Sequence, residues 1–288
     1  MIHGWIILDK PVRLGSTTAV SAVKRILREA DEPKTKVGHA GTLDPLASGV
    51  LPIALGEATK LCGRMLDATK AYDFTIHFGE QTETLDAEGE IVAKSDVRPT
   101  LKQVEAILPR FTGEIEQVPP AYSALKIGGS AAYSLARAGK PVEIKPRTVR
   151  VYALRVSASS RERNDLARRR GDPEEIEEAA LTAAVSKGTY IRSLARDIAH
   201  ALGTVGHVTH LRRTRAGPFS LESAISLDFL EEAAKARRLT RTVLPLTAAL
   251  DDIPALLVTS RQAEMLRQGQ RLVGFPATPG LQPLREQE

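Results

Sequence analysis

The chain has 288 residues, of which 42% are hydrophobic and 26% are charged, enough for one large globular domain and a small appendage. Its single cysteine excludes an intramolecular disulfide and a zinc site built from several cysteines. No apolar run reaches the length of a membrane-spanning helix or of a secretory leader, so the sequence predicts a cytoplasmic protein without a membrane partner.

Basic residues are unevenly distributed along the chain, which carries 40 Lys and Arg against 35 Asp and Glu. They concentrate in residues 145–170 and 187–215. A surface that binds a polyanion requires such an excess, because neutralised phosphates supply most of the non-specific affinity. Charge alone fits a solvated surface equally well, so a nucleic-acid interface is one of two interpretations at this point.

The pattern of apolar residues predicts alternating strands and helices, without the regular βαβ repeat of a doubly wound fold. A turn at residues 9–11 follows the first strand, and Ser16 is the predicted N-cap of the first helix. Residues 36–56, rich in Gly, Pro and Thr, predict an ordered loop. Strands are predicted at residues 4–8, 72–78, 147–157 and 180–186, and helices at residues 16–30, 57–66, 100–108 and 189–202.

Two segments fall outside this framework. Residues 159–178 are rich in arginine and then in glutamate, which predicts a mobile surface insertion. Residues 251–288 follow a break in the pattern and predict a short C-terminal appendage, poorly ordered from residue 276 onward.

The segment that most resembles a catalytic or binding loop is KVGHAGTLDPLASGVLP, residues 36–52. Three glycines and two prolines constrain its backbone around one imidazole, His39, and one carboxylate, Asp44. Residue types alone favour a structural turn over a catalytic loop. The spacing matches neither a Walker A phosphate loop nor a dinucleotide-binding fingerprint.

This segment resembles the motif G-H-x-G-x-L-D-P-x-A-x-G-x-L-P, which surrounds the catalytic aspartate in the TruB family of pseudouridine synthases. The resemblance continues in family order over residues 4 to about 219. The other matching segments are GWIILDKP at 4–11, KAY at 70–72, QVPPAYSALK at 117–126, GTYIRSL at 188–194, GHV at 206–208 and LRRT at 211–214.

The resemblance implies isomerisation of uridine 55 in the T loop of tRNA to pseudouridine, after the base is flipped into a pocket. Asp44 would be the catalytic carboxylate, Tyr72 would stack on the uracil, and Arg192 would orient Asp44. Whether Asp44 attacks C1′ or abstracts the C2′ proton stays open. An isomerisation requires no metal or other cofactor, and none is expected. The residues expected to bind the substrate or the RNA are His39, Tyr190, Leu211, Lys10, Lys126, Arg212 and Arg213.

The resemblance also implies an α+β pseudouridine synthase fold, with a central mixed or antiparallel sheet, flanking helices and an active-site cleft. Residues 1–250 would form the catalytic domain, with an RNA-gripping thumb loop at 124–150 and the insertion at 159–178. Residues 251–288 would be a short or incomplete PUA-like segment. The expected partner is the T arm of tRNA, bound by a monomer without a guide RNA or protein partner.

Three other functions compete with this interpretation. A guide-RNA-dependent synthase would share the catalytic motif, but the long segment 124–150 and the short C-terminal segment favour a stand-alone enzyme. An RNA-binding module would explain the basic stretches without any chemistry. A metal-dependent hydrolase using His39 and Asp44 would need further ligands at suitable spacing. One departure from the family pattern is Glu83, where the T-D-T-x-D-x-x-G segment usually has aspartate.

Overall fold

The computed structural model describes residues 2–139, 144–158, 160, 162, 175–250 and 258–272. The chain divides into two compact units, Met1–Ala249 and Leu250–Glu288. The described part of the second unit contains the helix Ser260–Arg267, whose N-cap Thr259 forms a capping box with Gln262. The tail from residue 276, predicted to be poorly ordered, lies outside the described residues.

The first unit contains the strands of the fold, numbered here in chain order. They are β1 (Gly4–Lys10), β2 (Val37–His39), β3 (Ser48–Leu55), β4 (Lys70–Phe78), β5 (Glu80–Thr82), β6 (Ile91–Lys94), β7 (Gly113–Gln117), β8 (Lys126–Ile127), β9 (Ser130–Ala131), β10 (Arg147–Val156), β11 (Glu178–Val185), β12 (Gly206–Ala216) and β13 (Phe219–Ser220).

Helices flank these strands. The α-helices of the first unit are α1 (Ser16–Glu29), α2 (Cys62–Asp67), α3 (Leu101–Ile107), α4 (Ala132–Arg137), α5 (Ile191–Ala201) and α6 (Leu227–Lys235). Short 3-10 helices lie at Gly56–Leu61, Leu108–Phe111, Leu221–Ser223, Leu239–Thr242 and Leu246–Ala249. No helix within the described residues is long and apolar enough to cross a membrane.

Nine of the described strands form one mixed sheet, in the order β1-β3-β12-β4-β11-β10-β7, with β2 paired to β3 and β13 paired to β12. The pairs are antiparallel except β12 with β3, which run parallel where Arg212 faces Ser48 and Arg213 faces Gly49. This architecture confirms the α+β prediction with a central mixed sheet. The parallel contact brings Ser48 and Gly49, inside the motif that contains Asp44, beside the LRRT segment at 211–214.

Apolar side chains cover both faces of the sheet. On β1, Ile6 and Leu8 belong to the larger core cluster, whereas Trp5 and Ile7 belong to a second cluster, as expected for alternating residues of a strand. Helix α1 buries one apolar stripe, and α5 buries Ile191, Leu194 and Ile198 against the sheet. The sheet is therefore a rigid support for the loops at its edge.

The prediction of an ordered loop over residues 36–56 is wrong for most of its length. β2 and β3 occupy Val37–His39 and Ser48–Leu55, and only residues 40–47 lie between them. Every residue of β3 is buried. A strand buried on both faces has no polar alternation, and the Gly and Pro in this strand argued further against a strand, because both residue types are depleted in strand interiors.

Two predictions about the N-terminal segment, residues 4–16, are also wrong. Asp9 and Lys10 continue β1 instead of forming a turn. Gly15, not Ser16, is the N-cap of α1, and no side chain in the described part of the chain caps this helix. The Ser16 hydroxyl instead donates to the Leu43 carbonyl and accepts from the Leu43 N–H, both at 2.8 Å.

The remaining predicted elements are confirmed, with ends within two residues for the strands at 72–78, 147–157 and 180–186 and the helices at 16–30, 100–108 and 189–202. The helix predicted at 57–66 begins as a 3-10 turn and becomes α-helical at Cys62. Most of the predicted insertion at 159–178 lies outside the described residues. Its last residues belong to the core fold instead, because Glu175 pairs with Thr100 and Glu178 begins β11.

Candidate active site

A cleft of about 550 Å³ opens where the loop between β2 and β3 meets the start of α5. The two segments are distant in sequence and are joined by the parallel pairing of β3 with β12. The lining side chains are mainly apolar and aromatic around a few charged groups, which is typical of a ligand site. They include Asp44, Ala47, Leu66, Lys70, Tyr72, Leu125, Arg147, Tyr190, Arg192, Leu211 and Arg213.

Asp44 lies in the middle of the loop that carries the G-H-x-G-x-L-D-P motif. Gly41 adopts φ +126°, a conformation that favours glycine, and turns the chain toward the cleft. The buried Ser16 hydroxyl fixes Leu43 through the two hydrogen bonds described above. The Asp44 side chain remains 34% exposed, so a carboxylate on a firmly held backbone faces an open cleft.

Arg192 lies in the first turn of α5 and is the partner of Asp44. Its Nη2 is 2.8 Å from Asp44 Oδ2 and donates to the Tyr122 carbonyl at 2.9 Å. Its Nη1 donates to the Thr84 carbonyl at 2.7 Å and is 3.2 Å from Asp86 Oδ2. The guanidinium is 5% exposed, so four oxygens hold it in one orientation beside the catalytic loop.

Asp86 is a member of this cluster that the sequence analysis did not single out. Its side chain is 3% exposed, and its Oδ1 accepts from Thr84 Oγ1 at 2.5 Å and from the Glu88 N–H at 3.1 Å. Leu85, at φ +62°, makes the tight turn that aims the carboxylate at Arg192. The sequence does mark Asp86, because it is the aspartate of the T-x-T-x-D-x-x-G segment that contains Glu83.

Arg192 is thus shared by two carboxylates: Asp86 is buried, and Asp44 faces the cleft. Burial, followed by the charges of Asp86 and Asp44, raises the pKa of Glu88 above its ordinary value. The charges of both aspartates therefore reach Glu88, and Arg192 acts on its pKa in the opposite direction. A fixed guanidinium in such surroundings keeps the exposed carboxylate oriented.

Aromatic residues form the wall of the cleft opposite the aspartate loop. Tyr72 lies on β4 and faces Arg213 of β12 in the strand register. Tyr190 is the N-cap residue of α5, and its backbone is held by the Gln117 side-chain amide, which accepts from its N–H at 2.8 Å and donates to its carbonyl at 3.1 Å. The Arg147 guanidinium lies 5.0 Å from the centre of the Tyr190 ring.

Among the residues predicted to bind substrate, Tyr190 and Leu211 line the cleft together with the predicted catalytic Tyr72. His39 is the last residue of β2 and is not among the residues that line the cleft. Its Nδ1 is buried and has no hydrogen-bond partner among the described residues, and burial followed by the Arg213 charge lowers its pKa. The predicted contact of His39 with the RNA therefore stays a prediction.

Lys10 and Arg213 were predicted to bind the substrate or the RNA, and the structure buries both side chains. Lys10 is 0% exposed, and its ammonium donates to the carbonyls of Pro11, Leu14 and Pro45. Arg213 borders the cleft but is 1% exposed, and its donors are taken by backbone carbonyls. Their predicted contacts with the substrate or the RNA remain predictions, although full burial is unusual for basic side chains.

Lys126 and Arg212 are less buried. Lys126 is exposed at the start of β8, within the segment predicted to be the thumb loop. Arg212 is 31% exposed and pairs with Asp9 at 2.8 Å, and it also donates to Ser48 Oγ at 3.3 Å. Their predicted contacts with RNA remain predictions. In the described parts of the chain, no group of three or more His, Cys, Asp or Glu side chains is arranged to hold a metal ion.

Comparison with known families matches most of the chain to one family. The N-terminal domain of TruB family pseudouridylate synthases matches residues 24–191. The C-terminal domain of tRNA pseudouridylate synthase B matches residues 192–251. The two matches meet between Ile191 and Arg192, inside the candidate site.

Individual relatives agree with this match. The tRNA pseudouridine synthase B of Novosphingobium aromaticivorans is 58% identical over 98% of this chain and 89% of its own length. The protein of the same name from Zymomonas mobilis is 55% identical over 100% of this chain and 90% of its own length.

Solved structures with the same fold come from larger assemblies. The chain matched in a Cbf5-Nop10-Gar1 complex has a TM-score of 0.60 and 31% identity, over 85% of this chain and 61% of that one. The chain matched in an H/ACA RNP bound to a substrate RNA containing 2′-deoxyuridine has a TM-score of 0.60 and 28% identity, over 85% and 60%. This chain therefore spans about three-fifths of those solved chains.

Proposed function

The chain belongs to the TruB family of pseudouridine synthases, and from this we propose that it isomerises uridine 55 in the T loop of tRNA to pseudouridine, with Asp44 as the catalytic carboxylate. The observation that supports the assignment most directly is the 2.8 Å contact of Asp44 with the buried Arg192, in a cleft walled by Tyr72, Tyr190 and Leu211. The relatives that match nearly the whole chain carry the name of this activity.

The reaction breaks the N1–C1′ bond of uridine, turns the base and joins C5 to C1′, after which C5 loses its proton. A carboxylate is the group this chemistry requires, either to attack C1′ or to take the C2′ proton. Asp44 is suited to both, because it is the exposed member of the Asp44–Arg192–Asp86 cluster. Arg192 orients the carboxylate once the entering base has displaced water.

The target base must leave its stack to reach Asp44. Extraction costs about a few kcal/mol for a base in a structured loop. The aromatic rings of Tyr72 and Tyr190 and the side chain of Leu211 offer the base apolar surface in return. We place the uracil against Tyr72, whose phenol then lies near C5, the atom that loses a proton.

The substrate partner is tRNA, and the enzyme acts alone in this proposal. Stand-alone action is favoured because the relatives named tRNA pseudouridine synthase B match nearly end to end at above 50% identity, whereas the chain from the Cbf5-Nop10-Gar1 complex matches at 31%. Contacts of exposed basic residues such as Lys126 with phosphates would offset the free energy required for base extraction. A monomer in the cytoplasm fits this role.

The proposal is tested by incubating the purified protein with an unmodified tRNA transcript and mapping pseudouridine by position. We expect modification at position 55 without added protein or guide RNA, and none in a matched transcript that carries cytidine there. Modification that appears only after a guide RNA or partner protein is added would replace the stand-alone enzyme with a guided one. Binding of the transcript without any modification would favour an RNA-binding module.

A further inference from the structure

The Arg213 side chain donates hydrogen bonds to three backbone carbonyls in the segment that carries Asp44. Its Nε donates to the Val50 carbonyl at 2.7 Å, its Nη2 to the Gly41 carbonyl at 3.0 Å and its Nη1 to the Thr42 carbonyl at 3.3 Å. Gly41 and Thr42 precede Asp44 in the loop, and Val50 follows it in β3. One guanidinium therefore joins the two ends of the segment that carries the catalytic carboxylate.

The backbone of Arg213 lies at the crossing of the same elements. It faces Gly49 of β3 on one side and Tyr72 of β4 on the other. Gly49 has φ +100°, and a Cβ there would lie 2.2 Å from the Arg213 carbonyl oxygen, so β3 and β12 approach closely at this point. The residue that holds the Asp44 loop is thus also fixed relative to the strand of Tyr72.

Burial of the Arg213 charge at this position costs desolvation free energy. The side chain is 1% exposed, and within the described residues no carboxylate lies at ion-pair distance from it. A buried charge without a carboxylate partner destabilises a fold unless hydrogen bonds satisfy it, and an apolar side chain of similar size is often at least as stable. Stability alone therefore does not account for a guanidinium here, whereas its fork of donors matches the three carbonyls.

We propose that Arg213 is a positioning residue of the reaction, which acts through the backbone of residues 41–50 to hold Asp44 at the reacting carbon. Arg192 fixes the Asp44 carboxylate from the α5 side, and Arg213 fixes its loop from the β12 side. The inference rests on the proposed function, since it assigns the residue a part in that reaction. It does not require Arg213 to touch the RNA.

The test compares Arg213→Lys, Arg213→Met and wild type in single-turnover pseudouridine formation, tRNA binding and thermal unfolding. Lysine keeps the charge but lacks the planar set of guanidinium donors, and methionine lacks both the charge and the donors. We expect the rate constant to fall about 10²-fold in both variants, because a small displacement of a reacting group has that effect, while the tRNA dissociation constant is unchanged. Arg25→Lys is the matched control, since Arg25 forms ion pairs with Glu29 and Glu231 on the surface of α1.

A purely structural role would lower the unfolding temperature but leave the rate constant of the folded protein intact, and that result would overturn the proposal. An equal loss of rate and of tRNA affinity would also overturn it, by making Arg213 an RNA ligand. Arg213→Met keeps the test decisive if Arg213→Lys does not fold, because methionine removes the uncompensated charge. No product from wild type would refute the proposed function itself, a result distinct from a normal rate in the Arg213 variants.

Discussion

The Arg192 guanidinium and the Asp86 carboxylate form an ion pair at 3.2 Å in which the two side chains are 5% and 3% exposed. Asp86 never reaches the cleft, so its effect on the reaction must pass through Arg192 to Asp44. Asp44 is thereby connected to a loop more than 40 residues away in sequence. This connection gives the first prediction.

Asp86→Asn should slow pseudouridine formation while leaving tRNA binding near that of wild type. The amide keeps an acceptor but no charge, so Arg192 loses one of the two carboxylates that orient it. Removal of one partner of a buried pair costs up to about 3–5 kcal/mol, so the unfolding temperature should also fall. Single-turnover kinetics and thermal unfolding measure both effects. Asp96→Asn, at an exposed site, is the control, and a wild-type rate for Asp86→Asn would show that Asp44 is oriented without it.

Ser16→Ala should destabilise the protein and lower its activity. The substitution leaves the Leu43 N–H and carbonyl without their partner beside Asp44, at a cost of about 1–3 kcal/mol in the free energy of unfolding. Urea unfolding and the rate constant at saturating enzyme check the two effects. Ser21→Ala removes an exposed hydroxyl from the same helix and should change neither. Equal behaviour of the two alanine variants would contradict the assigned role of Ser16.

Lys70 should make the protein more stable as the pH rises from about 8 to 10.5. Burial, assisted by the Arg213 charge, lowers the pKa of Lys70 from its ordinary 10.5 to about 8. The folded protein therefore releases this proton first, the unfolded chain binds more protons in that window, and the free energy of unfolding increases with pH. Lys10, whose pKa burial also lowers to about 8, contributes with the same sign.

Urea titrations across that pH range in wild type and Lys70→Met measure the contribution of Lys70. The variant should show a smaller increase, because only the other titrating groups remain. Lys94→Met is the control, since Lys94 is 70% exposed in its ion pair with Glu80 and should leave the increase unchanged. An identical pH dependence in wild type and Lys70→Met would contradict the lowered pKa.

Thr100→Ala should reduce stability without affecting catalysis. Thr100 caps α3 in a reciprocal pair with Gln103, and loss of such a cap costs about 1 kcal/mol. The residue is not part of the cleft lining, so the rate constant of the folded protein should match wild type. Thr100→Ser keeps the capping oxygen and should restore the stability. A slower rate in Thr100→Ala would mean that α3 contributes to the site.

The sequence was sufficient for the elements with clear periodicity and for the residues carried by specific motifs. The apolar period of α5 and the alternation of β4 predicted both elements to within two residues. Asp44, Tyr72 and Arg192 were predicted from separate motifs, and the structure brings all three to one cleft. Motifs indicate which residues share a site, even though the distances between them come only from the fold.

The failures have physical reasons. β3 was predicted as loop because a strand buried on both faces lacks alternation and contains Gly49 and Pro52. The burial of Lys10 and Arg213 was not predicted, because their charge is visible in the sequence, whereas the backbone carbonyls that satisfy them are not. Asp86 was overlooked because its importance depends on a contact with Arg192 across 106 residues.

The most direct test of the central claim compares wild type and Asp44→Asn in single-turnover pseudouridine formation on one unmodified tRNA transcript, with binding measured in parallel. Asparagine has nearly the shape of aspartate but can neither attack C1′ nor accept a proton as a carboxylate does. We predict that wild type modifies position 55, whereas Asp44→Asn binds the transcript and yields no detectable pseudouridine. Pseudouridine formation by Asp44→Asn at the wild-type rate would contradict the assignment of Asp44 as the catalytic carboxylate.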